Sequence, residues 1–422
     1  MQAYSTPTKD TSEADARSTN LAGTSSLGVK IGLLTGGFDK PYVYGLATAL
    51  AAKGAFIDLV GGDAVDCPEF HTSMHVNFLN FRHKPSKDEG LIRKVTSVLS
   101  FYARLIQYAA VSKAKILHII WNNKIYFLDR TLLMLYYKML GKKLVFTAHN
   151  INAGVRDSSD SFVNRLTLKT QYRLADHIFV HTEKMKGELI KDFGIRESAI
   201  TVIPFGINNA VPDTDLTPRD ARRRLGISEG EKTLLFFGNI GTYKGLEYLV
   251  AAFQEVLKSI PDSRLIIAGK LRGDAQKYAN EIFETIDRDI KPGRVLRRIE
   301  FVPDEETEIY FKAADAFVLP YKFVAQSGVL CLGYSFGVPA IATDVGSLRE
   351  DIVEGETGFL CRPCDSASLA STIERYFHSD LYQNVESRRL HIRAYANEHH
   401  SWDVVAERTL NVYMQLLGNP ST

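Results

Sequence analysis

Cysteine is scarce in this chain of 422 residues: Cys67, Cys331, Cys361 and Cys364 are all there are. So few thiols exclude a disulfide-stapled secreted scaffold and suit a reducing cytoplasm. Cys361 and Cys364 make a lone CxxC with only His378 nearby, and without a second ligand pair the spacing reads as incidental rather than zinc-binding. No run of about 18 apolar residues occurs, so no membrane-spanning helix is expected. The first 27 residues are rich in Ser, Thr, Ala and Asp and lack the apolar core of a signal peptide. A disordered leader is therefore expected over 1–27. Net charge is small as well, at +2, and gives no reason to expect a nucleic-acid partner.

What is present belongs to a soluble globular protein: 45% hydrophobic and 24% charged residues, in a chain long enough for two cores. Short apolar runs alternate with longer helical patterns from end to end. In the first half the runs lie at 29–34, 56–60, 76–81, 116–121, 143–147, 177–181 and 200–204. In the second they lie at 233–237, 264–268, 298–302, 316–320, 339–343 and 358–361. Such alternation predicts an α/β protein of parallel sheets covered by helices. The Pro/Asp/Thr/Asn-rich stretch 208–217, followed by an exposed helix over 218–225, reads as a linker. The expected organisation is a domain over 28–210, a linker over 211–231, a second domain over 232–385 and C-terminal helices over 386–422. Between residues 91 and 143 the charge is lopsided, with ten basic residues against the single acid Asp129 and with aromatics interleaved. That stretch is the candidate for an anionic membrane surface.

Chemistry is concentrated where apolar runs end, because ligands of doubly wound sheets sit beyond the carboxyl ends of the strands. The run at 29–34 leads into Gly36-Gly37, a loop that exposes backbone but lacks the GxGxxG dinucleotide spacing. The run at 143–147 leads into His149. The run at 233–237 leads into Gly238-Asn239 and then Lys244-Gly245, where the lysine suits a phosphate. The run at 316–320 leads through a polar loop into Gln326-Ser327-Gly328-Val329, which opens a helix. Unpaired N–H groups and the positive end of the helix dipole favour an anion there, and Gly328 permits a close approach. Lys244 and this helix start are two anion features on neighbouring loops.

Four segments carry a family resemblance: FFGNIGTYKGLEYLVAAF, RLIIAG, FVPDEETEIYFKAADAFVLPY and QSGVLCLGYSFGVPAIATDVGSLREDIVEGETGFL. They resemble the GT-B glycosyltransferases of family 4, over about residues 28 to 415. The resemblance implies two Rossmann-like domains facing across a cleft, with the helix begun by Trp402 crossing back to the first. It implies that the Gly36-Gly37 loop lies near the donor diphosphate and the acceptor, and that Lys244 holds the diphosphate. Ser327, Gly328 and Val329 would offer amides to the distal phosphate. His149 would contact the sugar or reacting centre, and Glu350 is similar in position to an acid found in such enzymes. The donor-binding set thus comprises Gly36, Gly37, Gly238, Asn239, Lys244, Gln326, Ser327, Gly328, Val329 and Glu350, with His149 and Lys244 as catalytic candidates. Two departures from the family pattern involve three positions. Asn239 stands where an Arg is usual, and Val324 and Leu332 stand where a Glu pair is usual. A branch with a Gln-Ser-Gly-Val loop dispenses with that pair, and this chain is similar to it.

The expected activity is transfer of a sugar from a nucleoside diphosphate sugar to a hydroxyl of a sugar or lipid-linked sugar, with retention, in cell-surface polysaccharide or glycolipid synthesis. No cofactor or metal is demanded, since no Asp-x-Asp triplet, whose paired oxygens would suit a divalent cation, is read. The expected location is cytoplasmic, peripheral on the inner face of the plasma membrane. Two alternatives share the fold. One is nucleotide-sugar hydrolysis or epimerisation, for which Glu350 or Asp304 would be the carboxylate. The other is a degenerate scaffold that binds nucleotide or a partner without turnover.

Overall fold

A computed structural model describes residues 28–418 apart from 38, 84–89, 124, 157–159, 208–210 and 274. The leader expected over 1–27 and part of the expected linker lie outside the described residues. The apolar runs of the first half form seven strands: β1 (Lys30–Leu34), β2 (Phe56–Gly62), β3 (Val76–Arg82), β4 (Ile116–Ile119), β5 (Lys143–Thr147), β6 (His177–Val180) and β7 (Ile200–Val202). They pair in parallel in the order β3-β2-β1-β4-β5-β6-β7. The helices that pack on this sheet include α1 (Lys40–Ala52), α2 (Leu91–Val111), α3 (Leu133–Met139), α4 (Phe162–Leu174) and α5 (Glu183–Phe193).

The second half repeats the plan. Strands β8 (Lys232–Phe237), β9 (Ser263–Ala268), β10 (Val295–Arg298), β11 (Ala316–Leu319), β12 (Ala340–Thr343) and β13 (Gly358–Cys361) pair in parallel as β10-β9-β8-β11-β12-β13. The helices that matter here are α6 (Leu246–Ser259), α7 (Gly328–Ser335), α8 (Val385–His399) and α9 (Trp402–Leu416). The chain is thus a two-domain α/β protein of the GT-B type. Twelve of the thirteen expected runs overlap their strands closely. The run at 298–302 does not: the strand is Val295–Arg298, because Val295 and Leu296 are the residues half-buried against the sheet, while Phe301 turns out to solvent. The helix expected to be exposed at 218–225 spans Pro218–Arg224 and is docked rather than free. Its Ala221 is buried and its Arg222 pairs with the buried Asp315 at 2.7 Å.

In both sheets the strand order reverses beside the first strand, between β1 and β4 and between β8 and β11. These are the switch points where loops splay apart and leave a crevice. Helix α9 packs on α1 of the first domain. Its Trp402 ring occupies the space that a Cβ on Gly45 or Gly206 would need, 2.0 and 2.3 Å away. The indole Nε1 donates to the Ile207 carbonyl at 2.7 Å. Further along α9, the hydroxyl of Tyr413 meets His118 Nδ1 at 2.6 Å, and His118 Nε2 meets Thr147 Oγ1 at 2.7 Å.

Candidate active site

The loops at the two switch points face each other across a cavity of about 480 Å³. Asp39, Tyr42, Trp121, His149, Phe205 and Trp402 contribute to it from one side, and Asn239, Gln326, Gly328, Val329 and Leu332 from the other.

On the first side, Gly36 and Gly37 have φ of 62° and 78°, the left-handed region that suits glycine. A Cβ on Gly36 would stand 2.8 Å from the Trp121 carbonyl, whereas the space at Gly37 is open up to Arg82 Nη1 at 3.7 Å. That guanidinium donates to the Gly36 carbonyl at 3.3 Å and lies over the Phe101 ring. Asp39, also left-handed, accepts the Tyr42 amide and caps α1. Burial holds its carboxyl above the usual range.

His149 is buried beyond β5, stacked on Trp121 with ring centroids 4.2 Å apart and 7° between planes, and edge-on to Tyr42. Its tautomer follows from its neighbours. The Ile203 carbonyl, which can only accept, lies 3.2 Å from His181 Nδ1, so that nitrogen carries the proton. His181 Nε2 is then the acceptor for the Nδ1–H of His149 at 3.1 Å. His149 Nε2 is left as a buried lone pair without a partner among the described residues. Burial pushes the pKa of His149 well below the ordinary imidazole value, with the neighbouring His181 adding to it. A neutral ring with a free lone pair on the cavity accepts a hydrogen bond from a hydroxyl.

On the second side, Lys244 ends the short turn Thr242–Lys244 and is 6% exposed. Its ammonium bonds the Tyr321 hydroxyl at 2.6 Å, stands over that ring and makes no ion pair with a carboxylate among the described residues. Burial lowers its pKa from 10.5 to about 8. Gly238, at φ 101°, has no side chain between this ammonium and α7: a Cβ there would lie 3.8 Å from Lys244 Nζ and 3.4 Å from Val329 Cγ2. Ser327 caps α7 by accepting the Leu330 amide and lies 3.4 Å from the Tyr321 hydroxyl. The structure therefore brings Gly238, Lys244, Ser327 and Val329 together. The first-turn amides of α7 have no carbonyl within the helix to bond. Gln326 donates to Asp351 at 3.4 Å and keeps a buried, unpartnered Oε1. Val324 and Leu332 are both buried, and Leu332 lines the cavity as an apolar wall.

Glu350 is not part of this grouping. It is exposed on the turn Leu348–Asp351, accepts the Glu183 amide at the start of α5, and does not line the cavity. The acid that reaches the loop before α7 is its neighbour Asp351, which is bonded by Gln326 and faces His400 at 3.8 Å. Adjacent carboxylates on a one-turn helix give no sequence signal of which points inward. Asp39, Trp121, His181, Phe205 and Tyr321 also escaped the sequence reading. Trp121 and His181 stood at the ends of expected strands, Phe205 and Tyr321 directly after them and Asp39 beside the Gly36-Gly37 loop, which was a usable signal for each. Two Asp-x-Asp triplets do occur, at Asp213-Thr214-Asp215 and Asp287-Arg288-Asp289. Asp213 pairs with Lys312 and Arg393, Asp287 with Arg297, and Asp289 with Arg288, and neither triplet lines the cavity. Among the described residues, no group of three His, Cys, Asp or Glu side chains is placed to hold a metal ion.

Two facing Rossmann-like domains with a crevice between their switch points have the plan of a GT-B glycosyltransferase, and comparison with known proteins agrees. Residues 41–211 match the family described as Glycosyltransferase Family 4 and residues 218–399 the family described as Glycosyl transferases group 1. The chain belongs to the family 4 type of GT-B glycosyltransferase. It is 26% identical to the D-inositol 3-phosphate glycosyltransferase of Corynebacterium diphtheriae, over 88% of each chain. It is also 26% identical to the enzyme of that name from Corynebacterium aurimucosum, over 64% of this chain and 65% of that one. It is 30% identical to a Mycobacterium tuberculosis glycogen synthase over 57% of this chain and 55% of that one. Among solved structures, sucrose-phosphate synthase from Thermosynechococcus elongatus superposes with a TM-score of 0.73 at 20% identity, covering 92% of this chain and 99% of that one. Anabaena HepE, solved with UDP and glucose, superposes with a TM-score of 0.69 at 18% identity, covering 91% and 98%.

Proposed function

We propose that this glycosyltransferase moves a sugar from a nucleoside diphosphate sugar to a hydroxyl of a sugar or lipid-linked sugar, with retention at the anomeric carbon. The observation that carries this reading is Lys244: a buried ammonium, without a carboxylate partner among the described residues, beside the side-chain-free Gly238 and the start of α7. A buried cation left unpaired is costly, and a dianionic ligand offsets that cost. The names of the compared structures, which include UDP, UDP-glucose and ADP complexes, support a nucleotide-sugar donor.

In this reading the rate comes from stabilising charge as it develops on the departing diphosphate. Lys244 and the amides of Gly328 and Val329 supply that stabilisation from fixed positions. The lone pair of His149 receives a hydroxyl of the donor sugar or the acceptor. The leaving diphosphate takes the acceptor's proton on the face it vacates, so no protein nucleophile is needed. Closure of the domains excludes water that would hydrolyse the donor. Lys244 and the α7 amides do the work of a cation, and we propose that the reaction needs no metal or other cofactor. The four unpaired cysteines fit a cytoplasmic enzyme, placed here in cell-surface polysaccharide or glycolipid synthesis.

Thermal melting against UDP, GDP, ADP and dTDP tests the donor site. A nucleotide at about 100 times its dissociation constant adds about 2.7 kcal/mol to the folded state. The expected result is one nucleotide that raises the melting temperature by several degrees, with the shift lost in Lys244→Ala. A panel without any shift would overturn the donor reading.

A further inference from the structure

The surface expected to face a membrane differs in make-up from the one the sequence suggested. Of the aromatics interleaved between residues 91 and 143, Phe101, Tyr102, Tyr108 and Tyr137 are buried in the core, and among the basic residues Arg130 is buried and bonded to Asn164 and Thr167. What lies outside is mostly aliphatic, with Tyr126 and Phe127 the exposed aromatics of that stretch. Helix α2 exposes Ile92, Val95 and Leu99, spaced i, i+3, i+7, on the side opposite the stripe of Phe101, Leu105 and Tyr108 that packs on the sheet. The turn into α3 repeats the spacing with Leu132, Leu135 and Met139, while its Leu133, Met134 and Tyr137 face inward. Helix α4 exposes Phe162, Val163 and Leu166. An amphipathic helix covering a sheet needs one apolar face, and these helices have two.

The three helices form one layer. All pack their inner sides into the same core cluster on the same side of the first sheet, the Tyr136 hydroxyl of α3 donates to the Ile106 carbonyl of α2, and α3 contacts α4. Their charge is of one sign. Helices α2, α3 and α4 carry Arg93, Lys94, Arg104, Lys138, Arg165, Lys169 and Arg173 and not one acid. An apolar surface ringed by cations and free of carboxylates on its own helices complements an anionic bilayer leaflet, with aliphatic side chains entering the interface and ammonium and guanidinium groups meeting headgroups. A protein partner of ordinary surface composition would not select for the absence of acids over three helices.

The layer also leads to the active site. Phe162 and Leu166 of α4 line a cavity of about 730 Å³ whose far wall is Phe323 and Val324 of the second domain. Its inner end is Asn150, next to His149.

We propose that the outer face of α2, α3 and α4 docks on an anionic lipid leaflet, so that this cavity is presented to the bilayer. The docking stands on the surface alone; that it delivers a lipid-linked acceptor to His149 rests on the transferase reading above.

Co-sedimentation of the full chain with vesicles tests it, using phosphatidylcholine with 30% phosphatidylglycerol against phosphatidylcholine alone. The expected result is binding to the anionic vesicles at low salt, reduced severalfold by 0.5 M NaCl, and severalfold again in Leu135→Glu/Met139→Glu or in Lys94→Glu/Arg104→Glu. These four side chains are exposed and outside the donor site, so the nucleotide-induced melting shift is expected to be unchanged in both variants. That readout separates failure of docking from failure of the donor reading. No binding to anionic vesicles, or equal and salt-insensitive binding to both kinds, would overturn the proposal. Concentration-dependent dimerisation abolished by Leu135→Glu/Met139→Glu, without vesicle binding, would make a second copy the occupant and overturn it equally.

Discussion

Lys244 is a charge kept where water is scarce, and its chemistry follows from that. Its pKa falls from 10.5 to about 8 because burial penalises the ammonium. Below about pH 8 the group is charged in folded and unfolded chains alike, and burying it costs about 3 kcal/mol. That cost is relieved as pH rises from about 8 towards 10.5, where the folded chain has already lost the proton. A bound diphosphate acts the other way and raises the lysine pKa, so binding above pH 8 requires proton uptake. Nucleotide affinity measured by titration calorimetry is therefore expected to be about tenfold weaker at pH 9 than at pH 7. Lys244→Arg, whose guanidinium stays charged across that range, is expected to lose this dependence. An affinity that stays flat in the unmodified chain would remove Lys244 from the diphosphate site.

Among the elements, α7 is the one on which the proposed donor site turns. It is short, Gly328–Ser335, and its start is held by Ser327 accepting the Leu330 amide while the Tyr321 hydroxyl touches both Ser327 and Lys244. Removing such a cap costs about 1 kcal/mol. Ser327→Ala is expected to lower stability in urea by about that much. It should also weaken nucleotide binding, because the amides it orders are those proposed above to face the phosphate. Full retention of affinity alongside the loss of stability would show that the cap serves the helix and not the ligand. At this scale the sequence was only partly legible: Ser327, Gly328 and then apolar residues read as a helix start, yet the same pattern at Thr357-Gly358-Phe359 begins strand β13.

In the whole molecule, the two sheets are tied together by α9 and by one buried cluster that includes Leu46 and Ile57 of the first domain, Leu234 and Ile341 of the second, and Trp402. Shared burial couples domains that could otherwise unfold apart. Calorimetry is expected to show one transition for the intact chain. Trp402→Ala leaves a void facing Gly45 and Gly206 and removes the bond to Ile207, and it is expected to separate the domains into two transitions. Two transitions in the unmodified chain would mean that the interface contributes little. Mobility between domains is what closure over a donor requires, so this coupling sets how far the cleft can open.

Short continuous apolar runs and period-3.6 patterning are local, and for that reason the sequence alone determined the alternating strands and helices, the two parallel sheets and the loops at strand ends where Gly36, His149, Lys244 and Ser327 stand. One strand was misplaced by three residues at a sheet edge, where Phe301 is apolar but mostly exposed, with Lys270 over its ring. Direction and partnership are not local. Only the tertiary structure decided that Asp351 and not Glu350 reaches the loop before α7. It alone left His149 Nε2 without a partner among the described residues, through a hydrogen-bond chain ending at Ile203. It alone sent Phe101 and Tyr108 inward while Ile92 and Met139 stayed outside. Each of those outcomes depends on what a residue far along the chain places opposite it, and a one-dimensional pattern holds no record of that.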